Sequence, residues 1–449
     1  MGHVLAIDLG TTNFKAAVFD EQCELVAVRR VRTPIKNGPD GEREIDACVF
    51  QGTVKRLLQS VLGDPKVSRE AVQAVSYSSQ ANSFLLLDEK DRPLGPMLVW
   101  NDAQYQHDVE LVRQVNALNK YAETGMPRIN SVGVLPAKLN GIKKYDYDRW
   151  ARAHRVALMS DYLTWLFTGK WVAELGGTAL TSLIDIHKYA WREDVISELG
   201  IDCLAFSELG WAGQDLGVID QDWLSMLGLP HDCRFVLGCL DQYAGVIGAG
   251  VREPGELCET TGTVLSVVRR TNQSNLEFSD GGEIFVGPAE SPGQYYQMCF
   301  SIVGGGFIEQ YQIANDITID LEAMNVELQH ICSRRLQIEL DRDQSRLMCE
   351  PVFIGGDGTV CAGEFVAAIM VGVADELKDL CEALCGDVLP REIVCVGGAS
   401  KSSLWRGMKS RILGVAMHAS DCEEPACKGA AILAFKALSE RETQSSSQA

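Results

Sequence analysis

Twice in this chain an apolar run delivers an aspartate onto a short polar turn, and that recurrence limits the architecture more than any bulk property. The first case is "VLAIDLGTTNFKAAVFD", residues 4 to 20, in which Asp8 meets a glycine and two threonines before an alternating apolar pattern resumes through Lys15 to Asp20. The second is "FVLGCLDQ", starting at Phe235 and delivering Asp241; "GELCETTGTVLSVVRR" then repeats strand, threonine-glycine turn and strand. Between them strands and helices alternate. "DACVFQGTVKRLLQSVL" reads as a helix, and "AVSYSSQANSFLLLDEKDRPLGPMLVW" as strand, polar break, strand, turn and strand. Pro136 to about Leu199 reads as mostly helical, with "HRVALMSDYLTWLFTG" stopping on Gly169 as a helix C-terminus does. The pattern implies an α/β protein of two similar halves facing one cleft, divided as 1–234 and 235–449.

Composition narrows the function classes. With 449 residues and 46% hydrophobic content the chain can build two or three globular cores. A formal net charge of -20 argues against a nucleic-acid partner, because neutralising phosphates needs a basic face. No run approaches the roughly 18 to 20 apolar residues of a membrane span, and Asp8 interrupts the N-terminus before a signal-peptide core forms, so no membrane partner and a cytoplasmic location are expected. The 15 cysteines contain no Cys-x-x-Cys pair and no zinc spacing, and are read as small core residues. The tail "SERETQSSSQA" is polar and expected to fray.

Three stretches carry phosphate chemistry. A strand ending in Asp-x-Gly-Thr-Thr can aim backbone N–H groups and hydroxyls at phosphate oxygens, with glycine allowing close approach. Its carboxylate suits magnesium, which takes one or two carboxylates and fills its other positions with water and nucleotide oxygens. Lys15 on the returning strand adds a positive charge. The alternative is a plain hairpin turn satisfied by Thr11 and Thr12 and capped by Asp8. "TTGT", Thr260 to Thr263, has the same logic and the same alternative. In "IVCVGGASKSSLWRGMKSRILG" a strand from Ile393 to Val396 enters Gly397, Gly398 and Ala399 and then a helix, where the dipole favours anions. It has neither Walker nor dinucleotide spacing, and a tight strand-to-helix turn is the other reading. Asp241, at the end of its apolar strand, suits a general base for a hydroxyl attacking a phosphoryl group, or the N-cap of a helix starting at Gln242.

Taken in order, Asp-x-Gly-Thr-Thr, Trp-x-Asp, "DYLTWLFTG", an aspartate in "LGCLDQYAGVIGAGV", Thr-Gly-Thr and Gly-Gly-Ala before a helix resemble the FGGY carbohydrate kinases over nearly the whole chain. That family lies in the superfamily of sugar kinases, heat-shock protein 70 and actin. The resemblance implies an α/β fold of two ribonuclease-H-like, actin-like ATPase domains flanking a central catalytic cleft. It gives 1–234 mainly to the sugar with the first phosphate loop, and 235–449 mainly to ATP with the catalytic aspartate. It implies ATP and Mg2+ as cofactors, Asp241 as general base, and Asp8 as the residue that organises magnesium. Thr11, Thr12, Lys15, Gly262 and Thr263 fall at the ATP phosphates, and Gly398 and Ala399 at the adenosine. Gln80, Ala81, Asn82, Trp100, Asp102 and Gln242 fall at the acceptor.

Departures from the family pattern bear on the acceptor. Asn82 stands where many ketose kinases carry histidine, Ala81 where they often carry methionine, and Gly141 where the first signature ends in tryptophan. Gln104 replaces an arginine whose forked donors glutamine cannot reproduce. The chain after "FIGGDG" is also short. Amides offer both donors and acceptors, which points to a neutral polyhydroxyl substrate. The expected activity is ATP-dependent phosphorylation of a terminal hydroxyl of a small neutral sugar, a ketose of the xylulose type or a polyol, with a homodimer as the expected assembly. An actin- or chaperone-type ATPase would leave Gln80, Trp100, Asp102 and Gln242 unused. A non-catalytic sugar sensor would have no need of both Asp8 and Asp241.

Overall fold

The computed structural model describes residues 2–262, 264–272, 284–314, 337–339, 352–354, 362–386 and 388–448. Thr263 and residues 355–358 of "FIGGDG" lie outside them. The chain divides into two compact units, one of Met1–Gly248, Asn272–Tyr296 and Glu424–Ala449, the other of Ala249–Thr271 and Gln297–Glu423.

A mixed sheet organises the first unit. Its strands run in the order Asp215–Val218, Arg234–Val236, Val72–Ser79, His3–Leu9, Asn13–Asp20, Leu25–Arg32, with Cys239–Leu240 also paired to Val72–Ser79. His3–Leu9 is antiparallel to Asn13–Asp20 and parallel to Val72–Ser79. Both faces are covered, so the central strand is a near-continuous apolar run. Leu5, Ile7 and Leu9 join Phe50, Val54 and Leu58 of the helix Ala47–Leu62 in one core. Val4 and Ala6 face the other way onto Ala430, Ala431 and Ala434 of the helix Pro425–Gln448.

The opening segment of the first compact unit runs on to Gly248. Cys239–Leu240 pairs in parallel with the first sheet, and the helix Asp241–Gly248 packs against the C-terminal helix, so Asp241 belongs to the first unit. Two glycines permit that close crossing: a Cβ on Gly248 would lie 1.9 Å from Pro425 O, and one on Gly429 would lie 1.9 Å from Ala244 O. The tail expected to fray continues that helix as far as Gln448. The stretch from Pro136 to Leu199 is less helical than its pattern suggests, because short strands at Arg155–Leu158 and Val172–Glu174 interrupt it. Gly169 does stop its helix, in the left-handed conformation at φ 67°.

In the second unit the sheet runs Gln294–Ser301, Leu265–Asn272, Leu257–Thr261, Glu392–Val396, Ala416–Ala419. The opening arrangement recurs there: Leu257–Thr261 is antiparallel to the strand that follows and parallel to a later one, Glu392–Val396. The helices Ala362–Cys385 and Ser403–Leu413 pack together within this unit, where the Trp405 indole donates to Met370 O at 3.3 Å. Among the described residues no helix is long and apolar enough to cross a membrane.

Candidate active site

Register brings the first-unit carboxylates to one end of the sheet. Asp8 lies beside Ser78, and Cys239 lies beside the same Ser78 from the strand that leads into Asp241. Asp8 is 6% exposed; its Oδ1 accepts the Ser78 hydroxyl at 2.8 Å and its Oδ2 lies 3.6 Å from Lys15 Nζ, the residue opposite it in the hairpin. Burial pushes the Asp8 carboxyl above its usual value, against the opposing effects of Lys15 and the Ser78 bond. Burial alone would lower the Lys15 ammonium, but the charges of Asp8 and Glu424 outweigh it and leave it raised. Glu424 holds Lys15 Nζ at 2.7 Å and Arg30 at 3.0 Å, so Lys15 is clamped between two carboxylates. Nothing near Asp8 in the sequence announces Glu424, which lies just before the C-terminal helix.

Asp241 opens the helix Asp241–Gly248, and its Oδ1 accepts the Gln242 N–H at 2.7 Å. Though half-buried at its surface, its carboxyl is pushed up to about 7, first by loss of water and next by the negative charge of Asp8. The negative charge of Asp8 that helps raise Asp241 is repulsion a divalent cation between these carboxylates would relieve. Among the described residues no group of three or more His, Cys, Asp or Glu side chains could hold a metal without outside oxygens.

Of the residues expected at the acceptor, Gln80 and Trp100 are joined through the hydroxyls of Thr11 and Ser83. Gln80, 6% exposed, donates to Leu9 O at 3.3 Å, and its Oε1 accepts from Ser83 at 3.1 Å and from Thr11 at 3.4 Å. The Trp100 indole donates to the Thr11 hydroxyl at 2.8 Å, so Thr11, expected at phosphate, is joined to the acceptor residues. Thr12 beside it is exposed. Asp102 is buried, accepting Arg43 N at 2.7 Å and the Gln104 side-chain amide at 3.0 Å. Asn82 sits at φ 56° with its amide committed to backbone, donating to Leu180 O and accepting from Leu135 N, each at 2.9 Å. Ala81 and Gln80 line a small cavity with Ser160, Glu174, Cys239 and Leu240. Glu174, which the sequence reading passed over, accepts Gly176 N and Gly177 N at 2.7 Å each, and burial pushes its carboxyl up to about 7. The departure at Gly141 has a packing reason, since a Cβ there would meet the Tyr105 ring at 2.4 Å.

The remaining expected positions lie in the second unit. Gly262 is exposed, and its carbonyl accepts Gly305 N at 2.8 Å; a Cβ on Gly305 would crowd the same oxygen. The glycine run at 304–306 was a legible signal for that neighbour. Gly397 takes φ 86°, with its Cβ position 2.9 Å from Thr261 O, so the junction both requires a glycine and packs on the threonine turn. Gly398 is exposed and Ala399 buried in a short turn, after which Ser402 caps the helix Ser403–Leu413 through Trp405 N. Beneath the threonine turn Lys409 donates to Glu259 and to Thr261 Oγ1 at 2.7 Å each; its side chain is 2% exposed and that of Glu259 0%.

Comparison with known proteins agrees with this layout. The N-terminal domain model of the FGGY family of carbohydrate kinases matches residues 3–248, and the C-terminal domain model matches residues 349–438. A xylulose kinase of Staphylococcus xylosus is 20% identical over 442 residues, covering 97% of this chain and 90% of the relative. A gluconokinase of Bacillus licheniformis is 23% identical over 471 residues, covering 97% and 87%. The crystal structure of ligand-bound xylulose kinase from Lactobacillus acidophilus superposes with a TM-score of 0.85 at 20% identity, covering 98% of this chain and 90% of that one. The fold is therefore the two-domain, actin-like one that the sequence order implied.

Proposed function

The chain belongs to the FGGY family of carbohydrate kinases, and from that premise we propose that it moves the γ-phosphoryl group of ATP to a terminal hydroxyl of a small neutral sugar, a xylulose-type pentulose before a polyol. The observation that carries this reading is Asp241, a carboxyl pushed up to about 7 beside Asp8. A group titrating near the working pH is well matched to take a proton from an attacking hydroxyl. Phosphoryl transfer otherwise rests on positioning and charge stabilisation.

In this reading Asp241 accepts the hydroxyl proton, and Asp8 would hold magnesium. Bound there, the ion would offset negative charge on the phosphoryl group in transfer. Lys15 stays paired with Asp8 and Glu424 and adds positive potential to that end of the sheet. Thr12, Gly262, Thr263, Gly398 and Ala399 face the nucleotide, with Thr263 resting on the sequence alone. Gln80 orders Thr11 and the acceptor loop, Trp100 and Gln104 present that loop to the sugar, and Gln242 contacts it next to the base. Neutral amides at Gln104 and Gln242 support an uncharged acceptor, and the cytoplasm, where ATP is abundant, is the proposed setting.

The gluconokinase relative supports a second reading, a sugar acid as acceptor. A panel of pentuloses, hexuloses, pentitols, glycerol and aldonates, scored for acceptor-dependent ADP release, separates the two. A pentulose or polyol should lead the panel. A clear preference for an aldonate would overturn the neutral-acceptor reading, and ADP release independent of every acceptor would return the protein to the ATPase class.

Magnesium gives a separate test. Asp8→Asn is expected to weaken apparent magnesium affinity by about tenfold or more, with turnover partly recovered at high metal, since the carboxylate proposed to hold the ion is lost. Asp20, whose Oδ1 accepts Gln22 N at 3.0 Å and Glu24 N at 2.9 Å at the far end of the hairpin, is the control. Equal losses in Asp8→Asn and Asp20→Asn would show that the hairpin, not ion binding, had been damaged.

A further inference from the structure

Lys138 lies near the start of the helix Leu135–Tyr145 and is 0% exposed. Its Nζ donates to two successive carbonyls, Val99 O at 2.6 Å and Trp100 O at 2.7 Å. These carbonyls follow the short strand Met97–Leu98, where the chain leaves its sheet and its backbone acceptors need new partners. Taking an amine out of water to serve neutral carbonyls is unfavourable unless the bonds fix something that matters. Burial indeed lowers the Lys138 pKa to about 7, with the Asp102 charge opposing. The neutral amine still has two donors, so the clamp works in either protonation state.

What those bonds hold is the loop Trp100–Asp102. Trp100 is 39% exposed, an unusual state for a large aromatic ring whose own N–H groups are both tied, the backbone one to Ser83 at 2.9 Å and the indole one to Thr11 at 2.8 Å. The residue is thus tied at backbone and indole while part of it stays open to solvent, and an aromatic ring so held suits the C–H face of a sugar. We infer that Lys138 is the positioning residue of the acceptor loop, clamping the Val99 and Trp100 carbonyls so that the Trp100 ring stands as a fixed wall for the acceptor. This rests on the reading above that the Trp100 loop meets the acceptor.

Lys138→Met keeps the side-chain stem and removes both donors; Lys138→Gln restores a donor on a shorter stem. Both are compared with Trp100→Ala in steady-state kinetics, using ATP and the acceptor that the unmodified enzyme prefers. Lys138→Met should raise the acceptor KM by about tenfold or more while the KM for ATP stays within about twofold, since misplacing a positioning group acts on the ligand it orients. Lys138→Gln should recover part of the loss. An ATP KM that rises in step with the acceptor KM, or no change in either, overturns the clamp. Should Lys138→Met fail to fold, hydrogen exchange in Lys138→Gln decides. The Asp102 amide donates to Val99 O at 2.9 Å, and its protection should fall selectively; unchanged protection would count against the proposal. If Trp100→Ala leaves the acceptor KM unmoved, the reading of the loop has failed, whereas an active Trp100→Ala beside a silent Lys138→Met defeats the clamp alone.

Discussion

Asp241→Asn should lower turnover by roughly a hundred- to ten-thousandfold while acceptor and ATP binding stay within a few-fold, the span typical of losing a general base. Asparagine keeps the shape, and its side-chain oxygen can still accept the Gln242 N–H now bound at 2.7 Å, so the helix start survives. Only proton acceptance is lost. The pH profile gives an independent check. With its carboxyl near 7, Asp241 is the required carboxylate above that pH, so the activity of the unmodified protein should fall as pH drops through about 7. The linkage runs the other way for stability: a carboxyl raised from 3.8 stabilises the fold most at low pH and loses that contribution as pH rises through about 7. Calorimetry of the Asn variant should therefore show a flatter pH dependence over that window. Near-normal turnover in Asp241→Asn would leave this residue with helix capping alone.

A second large effect is expected far from any carboxylate of the first unit. Lys409→Met should destabilise the second unit by about 3 to 5 kcal/mol, because it strands the Glu259 carboxylate in a site with no exposed surface. Thr261 loses a donor at the same time, immediately before the exposed Gly262 of the proposed phosphate turn. Adding Glu259→Leu should return most of the stability, since a buried pair exchanged for apolar side chains is often neutral. Urea titration of both single variants and the double closes the cycle. Additive losses in the double variant would show that the two residues are not an energetic pair. If the double variant regains stability but not ATP affinity, the pair also shapes the Thr260–Gly262 turn.

Much of the site was legible because its signals are local. The apolar run into Asp8 and the run into Asp241 each need a strand that is buried on both faces, and a carboxylate at such a strand's end is visible without knowing any partner. The Gly169 stop and the Gly397 junction depend on backbone conformations that few other residues adopt, and so could be read from residue type. Other positions carried no such local mark. Lys15 was legible as a cation beside Asp8, but its closest partner, Glu424, is 409 residues away. The amide of Asn82 bonds Leu135 N and Leu180 O, partners 53 and 98 residues away that no local pattern marks.

The same distinction explains the boundary and the lysines. Sequence period marks the strand Cys239–Leu240 but cannot say which sheet takes it, and pairing with Val72–Ser79 carries Asp241 into the first unit. Lys138, Lys409 and Glu174 have ordinary surroundings in sequence and become singular only when their side chains are buried. The sequence by itself determined the strands, the two aspartates and the glycine junctions, because these follow from short-range sterics and from the alternation of apolar residues along a buried strand. Only the tertiary structure decided which polar side chains remain available to a ligand, because a buried donor or acceptor must be satisfied and its partner can come from any part of the chain.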